Sequence, residues 1–584
     1  MGLRSATPAL ALLGFLSSCG QAQEERPWVV TRSEAASARA STANVSRPVG
    51  EARTIALPNS ISSGAFVEWE LGPAISSESD PQLELSRKGE QAALPAESLP
   101  AADEPDGWRR FRAALPAEAA GASLVWSTAT GEVLRSAPRV HARRDEVSRP
   151  SLVWIVIDTL RADYLGCYGH DRPTSPRIDE LAAEGVVFEH AISPASWTLP
   201  AMASMLTGLY GEGHGLLHTE HRLAPDQLSF VEVLAGSGYT TGAVVSGTFT
   251  DSFWGFDQGF DEYDDLGMVV DDRSGGATTI EAMKERAHRR VTSTEVSDRA
   301  LDFVRRQAGR RFFLLAHYFD PHQDFVEHAG LSERFEPRGS AAPAFGLRDP
   351  DPEATALLRG LYEGEIAFTD RHVGRLLDGL EELSGDEEVV IVLTSDHGEE
   401  FYERQWLGHG NTLFNEVLRV PLVLRVPGAS PGRVRDSVTT LDVAPTLLEL
   451  AGLGDAFGEG RSLLPWLRGE SGGEAREVFA SLYPSFAPET GETAAEVAIR
   501  VDSGREAAVR DSRLPAPLLF DCGEDPLQIE DLGRERAERL RILLERYELA
   551  RARLVAPRSS PERLDLSPEV LEALRGLGYA GEDE

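Results

Sequence analysis

The sequence predicts an α/β protein whose central sheet is mostly parallel and lies between helices. Two observations carry that prediction. Continuous apolar runs at residues 152–157, 241–245, 312–316, 389–393 and 422–426 read as strands buried on both faces, because a strand with one wet face would alternate. Helical patterns at 175–184, 227–234, 355–383 and 445–450 alternate with them. Strand–helix alternation sustained over ~300 residues builds a parallel sheet covered on both sides.

The whole chain is longer than this domain. Its 584 residues exceed one ordinary domain. With 41% hydrophobic and 26% charged residues it matches neither a disordered chain nor a polytopic membrane protein. No stretch reaches the ~18–20 apolar residues of a spanning helix. Acidic residues outnumber basic ones 94 to 58, a net charge of −36, which argues against nucleic acid as a partner. The cations are lopsided: Lys88 and Lys284 are the two lysines, and the rest are arginines. A mechanism that needs an active-site lysine would have to use one of them.

From the N-terminus, residues 1–19 carry Arg4, an apolar run at 9–16, and then Ser17-Ser18-Cys19. Short, weakly basic and apolar, this segment reads as a secretion signal. The Leu16-Ser17-Ser18-Cys19 ending resembles the lipobox of bacterial lipoproteins, in which the cysteine is lipidated and becomes the new N-terminus. An ordinary signal with an incidental cysteine, or a short buried helix, is the alternative. The resemblance implies a lipid anchor at Cys19, a membrane partner and an extracytoplasmic place in a bacterial cell envelope. Acyl chains supply ~0.8 kcal/mol of membrane affinity per buried CH₂, so two or more anchor stably. Cys167 and Cys522 complete the three cysteines, too few and too far apart for a disulfide framework.

Residues 20–46, rich in Ala, Ser, Glu and Arg, read as a linker. Residues 47–146 hold short apolar runs broken by Gly, Pro and Ser, such as Ala65-Phe66-Val67-Glu68-Trp69 and Ser123-Leu124-Val125-Trp126. They predict a small β-sandwich of unreadable role, a spacer or a polysaccharide binder. The α/β domain spans 147–455. Residues 456–584 form a C-terminal subdomain, with strands near 477–482 and 497–501 and a helix over 535–554.

In an α/β sheet, ligands sit at the carboxyl ends of the strands. The first strand runs into Asp158, and the strand at 389–393 runs into Asp396-His397-Gly398-Glu399. Either stretch alone could simply form a turn. Together, hard carboxylates and an imidazole at two strand ends suit zinc, manganese or another divalent ion. Between them, residues 198–208 read as a helix with Thr198 at the N-cap, Pro200 in the first turn and Gly208 at the stop. Such an N-terminus favours a tetrahedral anion, and a hydroxyl there that touches a metal is acidified into a nucleophile. Taken alone, Thr198 reads better as a plain cap.

These motifs resemble the sulfatase family. Its opening signature matches Asp158 through Gly169, and its nucleophile motif matches Trp197 through Gly208. Its middle histidine motif matches Asp320-Pro321-His322. Its late metal motif matches Thr394 through Glu399, with His409-Gly410 running on to Arg419-Val420-Pro421-Leu422. C-terminal segments match at Leu519-Phe520-Asp521, Asp525-Pro526 and 574–579. The resemblance covers about 150 to 584. It implies the alkaline-phosphatase-like fold, a smaller C-terminal antiparallel sheet and a metal-dependent esterase site.

Departures from the family matter as much. Sulfatases proper carry a cysteine or serine, oxidised to formylglycine, where this chain has Thr198. The family's arginine four residues later is Met202, its Lys-x-His motif falls near Val245-Ser246-Gly247-Thr248, and its late lysine is replaced nearby by His409. What remains is similar to the phosphodiesterases, phosphoethanolamine transferases and lipoteichoic acid synthases of the same superfamily, which use a threonine nucleophile. That likeness implies a metal site of Asp158, Thr198, Asp396 and His397 holding one or two divalent ions (Zn, Mn or Ca). Thr198 is then the nucleophile, and His317, His322 and His409 are catalytic histidines at the substrate or a second metal. Buried strand-end histidines satisfied by backbone are the alternative for His317 and His322. The implied substrate is a sulfate or phosphate ester, with an envelope glycan or lipid as its carrier. Hydrolysis through a covalent Thr198 intermediate, transfer from that intermediate to a hydroxyl, and a non-catalytic binding role are all compatible with the motifs.

Overall fold

The computed structural model describes residues 149–266, 290–307, 310–335, 352–385, 387–470, 476–483, 497–552 and 560–564, and the backbone of eight strands within 53–141. Those eight strands pair antiparallel into two four-stranded sheets. The signal at 1–19 with Cys19, the linker at 20–46 and the segment 574–579 lie outside the described residues.

A nine-stranded sheet forms the centre. Its strands are β1 (Ser151–Ile157), β2 (Val186–Ile192), β3 (Thr240–Val244), β4 (Glu262–Asp264), β5 (Phe312–Tyr318), β6 (Val389–Thr394), β7 (Arg419–Val420), β8 (Leu422–Arg425) and β9 (Gly432–Thr439). They lie in the order β4-β3-β5-β1-β6-β8-β2-β7, with β9 also beside β2. Seven run in one direction, and β7 and β8, on either side of Pro421, run against them. The mostly parallel α/β architecture predicted from the apolar runs is therefore the one observed. The sequence pattern missed β2, β4, β7 and β9: Glu189 and His190 interrupt β2, four of the first five residues of β9 are exposed, and β4 and β7 are only three and two residues long.

Helices cover both faces. Alternation along β1 decides which residues look which way. Leu152, Trp154 and Val156 face α2 (Thr198–Thr207), α3 (Phe230–Gly236) and α6 (Val443–Leu450). Val153, Ile155 and Ile157 face α1 (Pro176–Glu184), α4 (Ser293–Arg306) and α5 (Pro352–Ser384). All six of these β1 side chains are buried, Trp154 fully. The helix expected at 227–234 begins only at Phe230, because Ser229 and Glu232 form a reciprocal capping box there.

The C-terminal subdomain is a four-stranded antiparallel sheet of β10 (Glu477–Leu482), β11 (Ala498–Ser503), β12 (Glu506–Asp511) and β13 (Leu518–Asp521). The helix α7 (Ala537–Arg551) covers it through Leu540, Leu543 and Tyr547. From β11 the fully buried Arg500 pairs with Asp502 and donates to Leu413 O at 3.1 Å and Asn415 Oδ1 at 2.7 Å. It thereby ties this sheet to the chain just after His409. No helix among the described residues is long and apolar enough to cross a membrane.

Candidate active site

Strands β1, β5 and β6 are neighbours that run the same way, so their carboxyl ends present Asp158, His317 and Asp396 together. The chain turns sharply after β1. Asp158 N–H donates to Tyr318 O at 2.8 Å, and Thr159 takes a left-handed φ of 54°. That conformation is strained for a β-branched residue. It is held because Thr159 O accepts from the Tyr362 hydroxyl at 2.7 Å and Thr159 Oγ1 donates to Asp158 O at 2.8 Å. Ser395 Oγ bridges the two turns, accepting from Leu160 N at 3.0 Å and donating to His397 O.

Thr198 starts α2 but does not cap it. Trp197 holds the N-cap position and Thr198 is the first helical residue, with no side-chain cap. The predicted N-cap role is thus corrected by one residue. The Thr198 hydroxyl instead lies 3.1 Å from His397 Nε2 and 3.5 Å from Asp158 Oδ2. Pro200 lies in the first turn, and Gly208, at a φ of 67°, closes the helix.

The tautomer of His397 follows from its partners. Its Nδ1 lies 2.9 Å from Gly398 O, a carbonyl that can only accept, so Nδ1 carries the proton and Nε2 presents a lone pair. Gly398 is obligatory there, since a Cβ would come within 2.1 Å of Glu416 O. Around His397 Nε2 lie Asp158 Oδ1 at 3.6 Å, Asp396 Oδ2 at 3.4 Å and Thr198 Oγ1 at 3.1 Å. His317 Nε2 is 3.6 Å from Asp158 Oδ2. Ligand atoms of Asp158, His317 and Asp396 all fall within 4.8 Å of one another.

These spacings fit a cation. Four donors at zinc distances of 2.0–2.2 Å from a common centre stand ~3.4 Å apart at the corners of a tetrahedron. The donors themselves lack other partners: Asp158 Oδ1, Asp396 Oδ2 and both ring nitrogens of His317 are buried without a hydrogen bond. Burial, and then the nearby Asp396 and Glu399, hold the Asp158 carboxyl well above the usual carboxylate range. Burial pushes His317 down to about 4, which keeps its imidazole neutral and able to ligate. Arg161 does not neutralise the carboxylates, because its guanidinium grips Asp163 at 2.8–2.9 Å, Glu403 at 2.9 Å and Glu399 O at 2.9 Å.

His409 and His322 complete the ring of histidines. The His409 ring lies 4.5 Å from that of His397 and 4.8 Å from that of His322, which stacks on Phe319 at 4.3 Å. His322 Nδ1 is 3.2 Å from Gln323 O. Gly410 N–H donates to Ser196 O at 2.8 Å, which fastens the His409 segment to the start of α2. The structure groups His317 with the carboxylates and sets His322 and His409 on the other side of His397. Sequence reasoning left Glu399 without a role, yet its carboxyl is fully buried and contacts His409 Nδ1 at 2.9 Å. The run Asp396-His397-Gly398-Glu399 was visible; which acid faced inward was not.

The departures from the family also find places. Met202 packs in the core under β1. Ser246 Oγ donates to His317 O at 2.9 Å and accepts from Phe319 N at 3.1 Å, so the 245–248 loop braces the histidine strand. His214 accepts from Leu216 N at Nδ1 and faces Ser204 Oγ with Nε2, both at 3.0 Å.

The model of the sulfatase family matches residues 150–453. The chain belongs to the sulfatase family. Sulfatase-family enzymes are metal-dependent ester hydrolases of the alkaline phosphatase superfamily, and this chain is an ester hydrolase of that family. Among its relatives, the multifunctional alkaline phosphatase superfamily protein PehA of Trinickia caryophylli is 25% identical over 485 residues, 67% of this chain and 92% of PehA. The N-acetylglucosamine-6-O-sulfatase of Bacteroides thetaiotaomicron is 22% identical over 409 residues, 56% of this chain and 72% of its own. The phosphonate monoester hydrolase of Agrobacterium radiobacter shares the fold with a TM-score of 0.57 at 20% identity, covering 72% of this chain and all of that one.

Proposed function

We propose that this sulfatase-family enzyme hydrolyses sulfuric or phosphoric esters through a covalent intermediate on Thr198, with phosphodiesters and phosphonate esters favoured over aryl sulfates. The observation that carries the reading is the Thr198 hydroxyl, released from capping and set 3.1 Å from His397 Nε2 at the N-terminus of α2. Threonine cannot become formylglycine, so expulsion of sulfate by collapse of an aldehyde hydrate is closed to this chain. Direct attack by a hydroxyl oxygen is open, and it suits phosphorus.

Asp158, Asp396 and His397, with His317 beside them, would hold a divalent ion such as zinc, manganese or calcium, which would offset the buried carboxylates and acidify the Thr198 hydroxyl. The chain's own residues do the rest. The helix N-terminus offers free N–H groups and a positive dipole end to the anionic ester. Thr198 Oγ attacks as its alkoxide, the bond from sulfur or phosphorus to the ester oxygen breaks, and that oxygen leaves with a proton from His409. Water then gives one proton to His409 and its oxygen to the sulfur or phosphorus centre, as the bond to Thr198 Oγ breaks and the Thr198 alkoxide is released. His322, packed on His409, fixes that ring's place.

We further take 1–19 as a lipoprotein signal, Cys19 as its lipidation site, 47–146 as a separate β domain, and 147–455 and 456–584 as the catalytic domain and its C-terminal subdomain. The enzyme then works outside the cytoplasm on an envelope ester, in keeping with a relative named for a sulfated sugar. The deciding experiment assays the purified protein side by side on aryl sulfate, phosphate monoester, phosphodiester and phosphonate substrates with each divalent metal. A clear preference for aryl sulfate would overturn the substrate class.

A further inference from the structure

We propose that Glu399 is a positioning residue that turns His409 into the proton donor for the leaving oxygen. The inference rests on the reading of Thr198 as nucleophile and deepens it.

A short hairpin builds the pair. Strand Glu400–Phe401 faces strand Leu407–Gly408, with Glu400 opposite Gly408. Glu399 precedes the first strand and His409 follows the second, so the two stand across from each other on the next rung. Their side chains meet there, Glu399 Oε1 at 2.9 Å from His409 Nδ1, with side-chain exposures of 0% and 1%. The other carboxyl oxygen accepts from Gln323 N at 3.3 Å, and the Glu399 carbonyl accepts from Arg161 Nη1 at 2.9 Å. Glu399 is therefore held from both its side chain and its backbone.

An imidazole has two nitrogens, and the carboxyl takes Nδ1. Nε2 is the one left for chemistry. The neighbouring rings say where that chemistry lies: His409 is 4.5 Å from His397, whose Nε2 is 3.1 Å from the nucleophile. Gln323 and His322, from the loop after β5, close the same corner. Substrate specificity follows from the same arrangement. An ester with a poor leaving group needs this proton, and an activated aryl ester does not.

Thr198 enters and leaves the cycle as its alkoxide, so the protons balance on the histidine pair. The resting pair holds one proton on Nε2 and a second between Nδ1 and Glu399 Oε1. As Thr198 Oγ bonds to sulfur or phosphorus and the ester oxygen departs, the Nε2 proton goes to that oxygen, and the shared proton stays with the pair. In the second half-reaction, water bonds through oxygen to sulfur or phosphorus and passes one proton to Nε2 as Thr198 Oγ leaves. The resting pair is then restored, with no further reactant.

The test compares 4-nitrophenyl and phenyl esters of phenylphosphonic acid on metal-loaded wild type, Glu399→Gln, His409→Gln and the double variant. Loss of kcat in Glu399→Gln should be ~10²-fold greater on the phenyl ester than on the 4-nitrophenyl ester, with KM little changed. His409→Gln should show the same bias, and the double variant should be no worse than His409→Gln alone, since one pathway is lost once. Equal losses on both esters would reduce Glu399 to a packing role and overturn the proposal. So would a double-variant loss equal to the product of the two single-variant losses. Thr198→Ala, run alongside, separates the two levels: activity surviving in it sinks the nucleophile reading, whatever the ester bias.

Discussion

Thr198 Oγ1 and His397 Nε2 stand 3.1 Å apart, and the threonine makes no cap on the helix that it begins. A threonine near a helix start ordinarily binds a backbone N–H, worth ~1 kcal/mol. Here that stabilisation is forgone by moving the cap to Trp197, and the hydroxyl turns to the carboxylates and imidazole at the sheet end. A residue that sheds its local role in favour of a long-range contact has been placed for chemistry, and the first prediction follows from it.

Thr198→Ala should cost at least ~10³-fold in kcat, because covalent catalysis and its positioning vanish together. Thr198→Ser should retain part of the activity, since the hydroxyl survives. Steady-state rates on the best ester measure both. An unimpaired Thr198→Ala enzyme would move the nucleophilic role to water.

Asp396→Asn should lower bound metal and activity in parallel, as metal analysis of dialysed protein and rates on the same samples would report. His317→Ala should also release metal, because both of its ring nitrogens are buried without other partners. Full metal occupancy in His317→Ala would return that histidine to the substrate side of the site.

The pH dependence of stability contains a separable contribution from His214. Burial pushes its pKa down to about 3 in the folded protein, against 6.5 unfolded. A histidine with a lowered pKa costs stability as pH falls below the unfolded value, because the unfolded chain then binds the extra proton. At pH 5 this amounts to about 2 kcal/mol relative to pH 7 or above. Urea unfolding at pH 7 and pH 5 should show a smaller drop in His214→Gln than in wild type. An identical drop in the two proteins would mean that His214 is protonated without unfolding.

Cys19→Ser should leave catalysis intact and release the protein from membranes in fractionated cells. Native membrane-bound protein with an unmodified N-terminus upstream of Cys19 would end the lipid-anchor proposal.

The sheet was legible because its central strands are buried on both faces and so carry long unbroken apolar runs, as 152–157 shows. β9 was not, since Arg433 and Arg435 on its exposed face break the apolar signal. The acidic strand ends were equally plain, because position after a buried strand is a property of sequence. The resemblance places His317 at the substrate or a second metal; its position beside Asp158 comes from the pairing of β5 with β1, which spacing does not show. Nor could spacing reveal that Arg161 would also reach Glu403, or that Glu399 would turn inward to His409. Those outcomes depend on which elements become neighbours, as with the rung that joins residues ten apart across a hairpin.

The strand order has a consequence for how the enzyme acquires its ion. β6, which delivers Asp396 and His397, lies between β1 and β8, so the donor set is closed only when a late segment inserts at the middle of the sheet. A nascent chain that ends before Thr394 already contains Asp158, Thr198 and His317, yet it has no complete cage to chelate with. Capture is therefore a property of the finished sheet rather than of any peptide stretch.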